Sequence, residues 1–416
     1  MNLEEVKKIS ESRDIYLWGA RRVGFSTLNS LAKEGVLVKG FLDSSPDIQG
    51  TVVRGQPVFP PNEILAKPPA DNFIVITSEL HVNEISNVCD ESGLSHNKDY
   101  IAALELQTYD YIVDVSGVCN LKCLSCPRGN RRIHPKPGFM SASHFEKVLT
   151  KIVREDPLTG AIALYNLGEP LLNPEFPEIV EICNSKGVLA TLSSNINIKK
   201  SFVDTIKAKP ALFRISASGY GSSYEITHRG GNWNLFLDNM YKLNYWREKY
   251  NPEMQVEVFY HLYKDRTEDY QKMAKLCKEL NFSLRVCHAA LLALDNINSF
   301  LEGETLTEEA IKTMELQILS VTEAMSIAKK TQNLPCTVLS SLAITWDSKV
   351  MACSCWYDPK LRISDEDFLD IPLEKIVRLR NSCELCKLCR KNGLHRYFNA
   401  YLDESLVRKK DSLYKN

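Results

Sequence analysis

The chain has 416 residues, of which 44% are apolar and 25% are charged, and its 51 basic and 52 acidic side chains leave a net charge of -1. This composition excludes a collagen, a fibre or a disordered chain, and the balanced charge argues against a nucleic-acid partner. No apolar run approaches the ~20 residues that cross a bilayer, and the charged N-terminal segment lacks a signal-peptide core. We therefore expect a cytoplasmic protein without nucleic-acid or membrane partners.

The first hundred residues alternate strand-like and helix-like segments, which predicts a small Rossmann-like α/β domain over residues 1–105. RDIYLWGARRVG predicts a strand and a turn, STLNSLAKEG a helix, and VLVKGFLD and DNFIVITS two further strands. Arg21 replaces the second glycine of the dinucleotide-binding pattern, which disfavours NAD. Two alternatives stay open: a phosphorylated group bound with Arg21 or Arg22, or a docking module.

A second series of strands alternates with helical segments from about residue 106 to residue 325. The predicted strands are YDYIVDVS, AIALYN, VLATLS, LFRISAS, QVEVFY and FSLRVC. Six such units predict parallel strands curled into a partial (β/α)6 TIM-like barrel. In such barrels the chemistry lies at the carboxyl ends of the strands.

Residues 326–416 form a cysteine-rich segment that contains a predicted hairpin, VLSSLAITWDSKVMAC, preceded by a long predicted helix that starts with a capping box of Thr305 and Glu308. Thirteen cysteines in a reducing compartment favour metal ligands over disulfides where they cluster. Four isolated cysteines in apolar surroundings are expected to be ordinary core residues: Cys89, Cys183, Cys277 and Cys287.

Cys119, Cys123 and Cys126 directly follow the first predicted barrel strand, in the text DVSGVCNLKCLSCP. Three thiolates on one loop lack the fourth ligand of a structural zinc site, and iron-sulfur clusters usually have four cysteines. The spacing therefore indicates a cluster with one open iron, and a zinc site is the alternative.

CNLKCLSC resembles the CxxxCxxC signature of radical S-adenosylmethionine (SAM) enzymes. The resemblance implies a [4Fe-4S] cluster whose open iron binds SAM, reductive cleavage to a 5'-deoxyadenosyl radical, and abstraction of a carbon-bound hydrogen. An electron donor such as flavodoxin or ferredoxin is then a partner. The family often has an aromatic residue beside the adenine before the third cysteine, and here that position is Ser125.

Other segments carry the same resemblance. NLGEPLLNPEF is similar to the family's Gly-Glu-Pro motif, in which the glutamate receives the SAM amino group. LSSNIN and RISASG resemble the family's ribose and carboxylate contacts. The implied SAM-binding residues are Gly168, Glu169, Pro170, Ser194, Asn195 and Ser216.

The C-terminal cysteines resemble the auxiliary-cluster domains of the SPASM and twitch types. The resemblance implies at least one auxiliary [4Fe-4S] cluster, with a second cluster and a zinc ribbon as alternatives. Cys355 is an alternative to Cys353. The implied ligands are Cys336, Cys353 and Cys383, with either Cys386 or Cys389 as the fourth.

A basic loop, PRGNRRIHPKPG, follows the cysteine triplet and is either a solvated loop or a site for an anionic substrate. The resemblance implies a radical SAM oxidoreductase or isomerase, and within that class this loop and the N-terminal domain favour a carbohydrate-type or nucleotide-linked substrate that is oxidised or epimerised. The alternatives are a maturase of a ribosomally made peptide and a non-catalytic metal-binding scaffold. The sequence identifies no general acid or base.

Overall fold

A computed structural model describes residues 2–46, 48–78, 81–106, 109–131, 134, 136–356, 358 and 361–401. By compactness the chain divides into two units, the first comprising residues 1–111, 149–162 and 183–190 and the second the remaining segments. The three-domain division at residues 105 and 325 stays a prediction. Within the described residues, no helix has the length and apolar character needed to cross a membrane.

The N-terminal sheet has the strand order β3-β4-β2-β1-β5-β6, and its recorded ladders are parallel except β3 with β4. Its central strands are buried because helices cover both faces of such a sheet. This is the expected Rossmann-like arrangement. Its elements are α1 (Leu3–Ser10), β1 (Asp14–Trp18), α2 (Arg22–Lys33), β2 (Val38–Leu42), β3 (Val52–Val53), β4 (Gln56–Phe59), α3 (Pro61–Leu65), β5 (Asn72–Ile76), α4 (Val82–Glu91) and β6 (Tyr100–Ala102).

The second sheet contains the six strands that the sequence predicts for the barrel. Their elements are β7 (Asp110–Val113), α5 (Pro127–Asn130), α6 (Ala142–Glu155), β8 (Ala161–Ala163), α7 (Phe176–Ser185), β9 (Leu189–Ser194), α8 (Val203–Lys207), β10 (Leu212–Ala217), α9 (Ser222–Thr227), α10 (Trp233–Tyr250), β11 (Gln255–Leu262), α11 (Thr267–Glu279) and β12 (Ser283–His288). The order is β12-β11-β10-β9-β8-β7, and β7–β8, β9–β10, β10–β11 and β11–β12 pair in parallel. The predicted (β/α)6 partial barrel is confirmed.

Side chains alternate between the two faces of these strands. In β10, Phe213 and Ile215 are fully buried under the helices, whereas Arg214 and Ser216 are partly exposed. The partly exposed residues, such as Arg214 and Ser216, line the inner face of the barrel, because successive side chains of a strand point to opposite faces.

The C-terminal part adds one strand to the barrel sheet. The elements are α12 (Leu294–Leu301), α13 (Glu308–Glu315), α14 (Val321–Lys330), β13 (Ser341–Ile344), α15 (Leu373–Asn381) and α16 (Glu384–Lys391). Strand β13 begins the predicted hairpin, which closes through the antiparallel bridge of Ile344 with Val350. It lies next to β7, where the Asp114 N–H donates to the Ile344 carbonyl at 2.8 Å.

The predicted long helix around residue 316 is wrong in two respects. It is two helices, α13 and α14, and the second begins with a capping box of Ser320 and Glu323. The first is capped by Thr307, whose hydroxyl accepts from the Ala310 N–H at 3.1 Å, and not by Thr305. Thr305 and Thr307 are equally suited to an N-cap position, so the sequence pattern alone did not select between them.

Candidate active site

The loop with the cysteine triplet follows β7 and is anchored on both sides by backbone hydrogen bonds. The Leu124 N–H donates to the Thr227 carbonyl at 3.0 Å, and the Lys122 N–H donates to the Arg229 carbonyl at 2.9 Å. Cys126 precedes the short helix α5, whose Gly129 approaches the Cys123 carbonyl so closely that a Cβ would overlap it. The loop is therefore fixed in place before any ligand binds.

The three thiols lie in one buried region. Burial raises the pKa of Cys119 to about 12 and also raises the pKa values of Cys123 and Cys126, and charges on Cys119 and Cys126 would raise that of Cys123 further. Thiols in such surroundings become thiolates only beside a cationic partner, and metal coordination deprotonates a thiol outright. In the described part of the chain, no three His, Cys, Asp or Glu side chains converge closely enough to bind one metal ion. In a [4Fe-4S] cluster each cysteine binds a different iron, so the donor set fits a cluster.

The loop with the Gly-Glu-Pro motif is held against the cysteine loop. A Cβ on Gly168 would overlap the Ser116 carbonyl oxygen, so only glycine permits this approach. The Glu169 N–H donates to the Val118 carbonyl at 2.8 Å. Pro170 is buried and begins a short 3-10 turn, Pro170–Leu172.

Two side chains that the sequence did not single out for this purpose join the same two loops. The Asp114 carboxylate accepts from the N–H groups of Leu167 at 3.0 Å and Gly168 at 3.2 Å. The Arg128 guanidinium donates to the Leu167 carbonyl at 2.6 Å and also to the Gly117 carbonyl. Burial raises the pKa of Asp114 to about 6, against the opposing effect of these N–H donors.

Glu169 is almost completely buried, and its carboxylate is oriented by protein donors. It accepts from the Leu171 N–H at 3.1 Å and from the Asn195 N–H at 2.8 Å, and the Ser194 hydroxyl is a further partner. Burial raises the pKa of Glu169 to about 7. A carboxylate has about four acceptor positions, and these donors take three, which leaves capacity for an added cation.

Asn195 connects Glu169 with the cysteine loop. Its side-chain amide donates to Cys119 Sγ at 3.7 Å and to Asn120 at 3.0 Å, while its backbone donates to Glu169. Ser216 lies on β10, where its hydroxyl is 3.1 Å from that of Ser193. The structure thus brings Asn195, Ser194 and Glu169 together at the cysteine loop, and places Ser216 on the inner face of the barrel.

The position before the third cysteine is buried, and a tyrosine from a distant part of the chain contacts it. Tyr263, directly after β11, forms hydrogen bonds with the side chain and backbone of Ser125. This ring is about 140 residues away in sequence, so no local motif indicated it.

The basic loop does not present all its cations to solvent. Arg128 is bound to backbone carbonyls as described above, and Arg131 forms an ion pair with Asp295. The Lys136 ammonium lies 5.9 Å from the Trp346 ring centroid. Arg132 lies outside the described residues. At least Arg128 and Arg131 therefore have partners within the protein and are not simply solvated.

The C-terminal cysteines surround a cavity of about 510 Å³, part of it open to solvent. Four of them line it: Cys336, Cys353, Cys386 and Cys389. Cys383 immediately precedes helix α16 and forms a hydrogen bond with Cys386. The predicted ligand set is thus brought together.

Cys353 and Cys355 differ in their surroundings. The Cys355 N–H donates to Cys353 Sγ at 3.3 Å, and the hydrogen bond between the two thiols lowers the pKa of Cys353 and raises that of Cys355. The buried Arg380 guanidinium also lowers the pKa of Cys353. Cys353 lines the cavity, which favours it over Cys355 as a ligand.

The backbone of the turn after β1 donates a hydrogen bond to an acidic side chain of the protein itself. The Asp43 carboxylate accepts from the N–H groups of Ala20 at 3.0 Å and Ser45 at 2.9 Å. Arg22 forms a buried bidentate ion pair with Asp110. Asp43 and Arg22 are therefore engaged by the protein itself.

No protein-family model matches the chain, and no curated protein matches it in sequence. Solved structures similar to it include Streptococcus suis SuiB bound to S-adenosylmethionine, with 13% identity and a TM-score of 0.44 over 64% of this chain and 65% of SuiB. Native anSMEcpe with bound AdoMet has 15% identity and a TM-score of 0.46, over 69% of this chain and 88% of anSMEcpe. BtrN in complex with AdoMet and 2-DOIA has 14% identity and a TM-score of 0.42, over 71% of this chain and 92% of BtrN. At these identities the similarity concerns the fold alone.

Proposed function

We propose that the chain is a radical SAM enzyme that forms a 5'-deoxyadenosyl radical and abstracts a carbon-bound hydrogen from a carbohydrate-type or nucleotide-linked substrate, which is then oxidised or epimerised. The observation that carries this proposal is the junction of two loops. Asn195 binds the Glu169 carboxylate through its backbone and Cys119 Sγ through its side chain. Asn195 thus contacts both Glu169, the proposed acceptor of the SAM ammonium, and Cys119, a proposed cluster ligand.

In this proposal, Cys119, Cys123 and Cys126 hold a [4Fe-4S] cluster, and the C-terminal cysteines hold at least one auxiliary cluster. When bound, the first cluster would supply an electron to SAM, and in the oxidation, though not in an epimerisation, the auxiliary cluster would accept the electron that the substrate radical gives up. A flavodoxin or ferredoxin is the proposed electron donor.

The chain's own residues position SAM. Glu169 receives its ammonium, because a buried carboxylate with a raised pKa gains from an adjacent cation. Asp114 and Arg128 keep the Gly-Glu-Pro loop at a fixed distance from the cysteines, so Glu169 needs no rearrangement before binding. Ser194, Asn195 and Ser216 are the proposed contacts to the ribose and carboxylate.

The test is SAM cleavage by anaerobically reconstituted protein. With dithionite and SAM, it should release 5'-deoxyadenosine, and its iron content should be about eight per chain if each cluster has four irons. Zinc without iron, or no SAM cleavage, would favour the metal-binding scaffold. Candidate sugars, nucleotide-linked sugars and peptides labelled with deuterium then separate the substrate classes, since only a true substrate transfers deuterium into 5'-deoxyadenosine.

A further inference from the structure

The inner face of the barrel carries two guanidinium groups around one aromatic ring. Arg214 on β10 and Arg285 on β12 lie 5.0 Å and 5.5 Å from the ring centroid of Phe259 on β11. Phe259 pairs with Ser216 on one side and with Arg285 on the other. Both arginines are partly exposed, so they remain accessible from the barrel interior.

The cluster around Phe259 has more positive than negative charge. The buried Glu257 pairs with Arg214 at 2.9 Å, and Arg214 also donates to the Tyr165 hydroxyl at 3.2 Å. Burial and, to a smaller extent, the charge of Arg214 lower the pKa of His261 to about 4, so this imidazole is neutral near pH 7. The formal charges of Arg214, Arg285 and Glu257 sum to +1, in surroundings where water screens charge poorly.

A polar atom in the same cluster lacks a hydrogen bond. His261 Nδ1 is buried and has no partner among the described residues. The His261 ring meets Phe259 edge-on at 5.1 Å, and in the sheet it pairs with Cys287, on whose pKa both arginines act. Buried polar atoms without a partner are uncommon, and an oxygen-rich ligand bound beside the arginines would supply one.

We propose that Arg214 and Arg285, with His261, bind an oxyanion group of the substrate, a phosphate or a carboxylate, on the inner face of the barrel. Planar guanidiniums match both oxyanions in bidentate geometry. This inference rests on the proposed function and specifies the substrate as an anion. Arg214 precedes Ser216, the proposed SAM contact, by two residues, about 7 Å along the strand, and Arg285 lies in the same row as Ser216 across Phe259. The remainder of the substrate extends from the oxyanion toward SAM.

The test is anion binding by the reconstituted full-length protein with saturating SAM. Equilibrium dialysis with radiolabelled inorganic phosphate and, separately, radiolabelled acetate should show one saturable site for at least one of them. The anion that binds more tightly identifies the group. Arg285→Gln should weaken binding by at least about tenfold, Arg285→Lys should weaken it less, and the exposed control Arg154→Gln should leave it unchanged.

Folding of each variant is checked by its SAM affinity. A second variant, Arg214→Gln combined with Glu257→Gln, removes one guanidinium while keeping the net charge of the cluster, and it should also weaken the anion. The proposal is overturned if neither anion binds or if Arg285→Gln binds like the unmodified protein. It is also overturned if the anion binds without SAM and added SAM displaces it competitively, which would identify a SAM carboxylate site.

The two proposals fail separately. Release of 5'-deoxyadenosine from the unmodified protein tests the enzymatic function without any anion. If the protein binds phosphate through Arg285 but releases no 5'-deoxyadenosine, the proposed anion site stands and the proposed radical chemistry is wrong. If the protein cleaves SAM but binds neither anion, the proposed radical chemistry stands and the proposed anion site is wrong.

Discussion

Gly168 packs so closely on Ser116 that a Cβ on Gly168 would overlap the Ser116 carbonyl oxygen. The overlap is with backbone, which cannot rotate away as a side chain would. This approach brings the Gly-Glu-Pro loop and the cysteine loop together, and four further hydrogen bonds, two accepted by Asp114 and two donated by Arg128, maintain it.

Gly168→Ala should therefore lower the free energy of unfolding by about 2 kcal/mol or more and weaken SAM binding. Urea denaturation and SAM titration of the reconstituted protein measure the two effects. Gly303→Ala is the control, because Gly303 has a φ of +73° but open space around its Cβ position, and it should cost only about 1 kcal/mol. Equal losses in the two variants would contradict the close contact.

Asp114→Asn should change the pH dependence of stability. The pKa of Asp114 is raised from 3.8 to about 6 by burial, so between these values the folded protein binds more protons than the unfolded chain. This carboxyl therefore stabilises the folded protein most below pH 3.8, and its contribution to the free energy of unfolding declines as the pH rises to about 6. The stability of the unmodified protein relative to Asp114→Asn should fall between about pH 4 and pH 6.

Urea denaturation of both proteins across that range measures this change. The exposed Asp204→Asn provides the control and should show no comparable trend. A stability difference between the unmodified protein and Asp114→Asn that stays constant with pH would show that the Asp114 pKa is not raised.

Glu169→Gln should weaken SAM binding by at least about tenfold, since a charge-assisted hydrogen bond is worth about 1.5–3 kcal/mol. Glutamine keeps one oxygen to accept from the Asn195 N–H but has no charge to attract an ammonium. Titration with SAM, followed by the electron paramagnetic resonance of the reduced protein, measures the affinity. Glu178→Gln, on the exposed face of α7, should bind SAM normally; unchanged affinity in Glu169→Gln would place the ammonium elsewhere.

Cys123→Ala should lower the iron content by about four per chain and abolish 5'-deoxyadenosine release. Cys183→Ala is a matched control because Cys183 is also buried and has a raised pKa, but it belongs to neither cysteine group in the sequence. It should keep its iron and lose only packing energy, about 1 kcal/mol. Full iron content in Cys123→Ala would contradict the proposed cluster.

Cys353→Ser and Cys355→Ser should differ, although the two cysteines are separated by one residue. Cys353 lines the C-terminal cavity and its pKa is lowered by the hydrogen bond with Cys355, whereas the pKa of Cys355 is raised. Cys353→Ser should lose the auxiliary iron and keep the SAM-responsive signal, and Cys355→Ser should retain both. Iron analysis with paramagnetic resonance distinguishes the variants, and the opposite result would assign Cys355 as the ligand.

The sequence by itself determined the six barrel strands, the cysteine groups, the position of Glu169 after the second barrel strand, and three strands of the N-terminal sheet, β1, β2 and β5; it missed β3, β4 and β6, which are two to four residues long. These features depend on the period of apolar residues and on short motifs, which neighbouring residues encode. The SAM and cluster ligands proposed from them stay predictions.

Only the tertiary structure decided which distant segments meet. It placed β13 beside β7, the Tyr263 ring against Ser125, and Arg131 with Asp295. It also gathered Arg214 and Arg285 around Phe259, from three different strands. Local periodicity assigns a side chain to a face but does not name its partner, because register and packing between segments far apart in sequence select that partner.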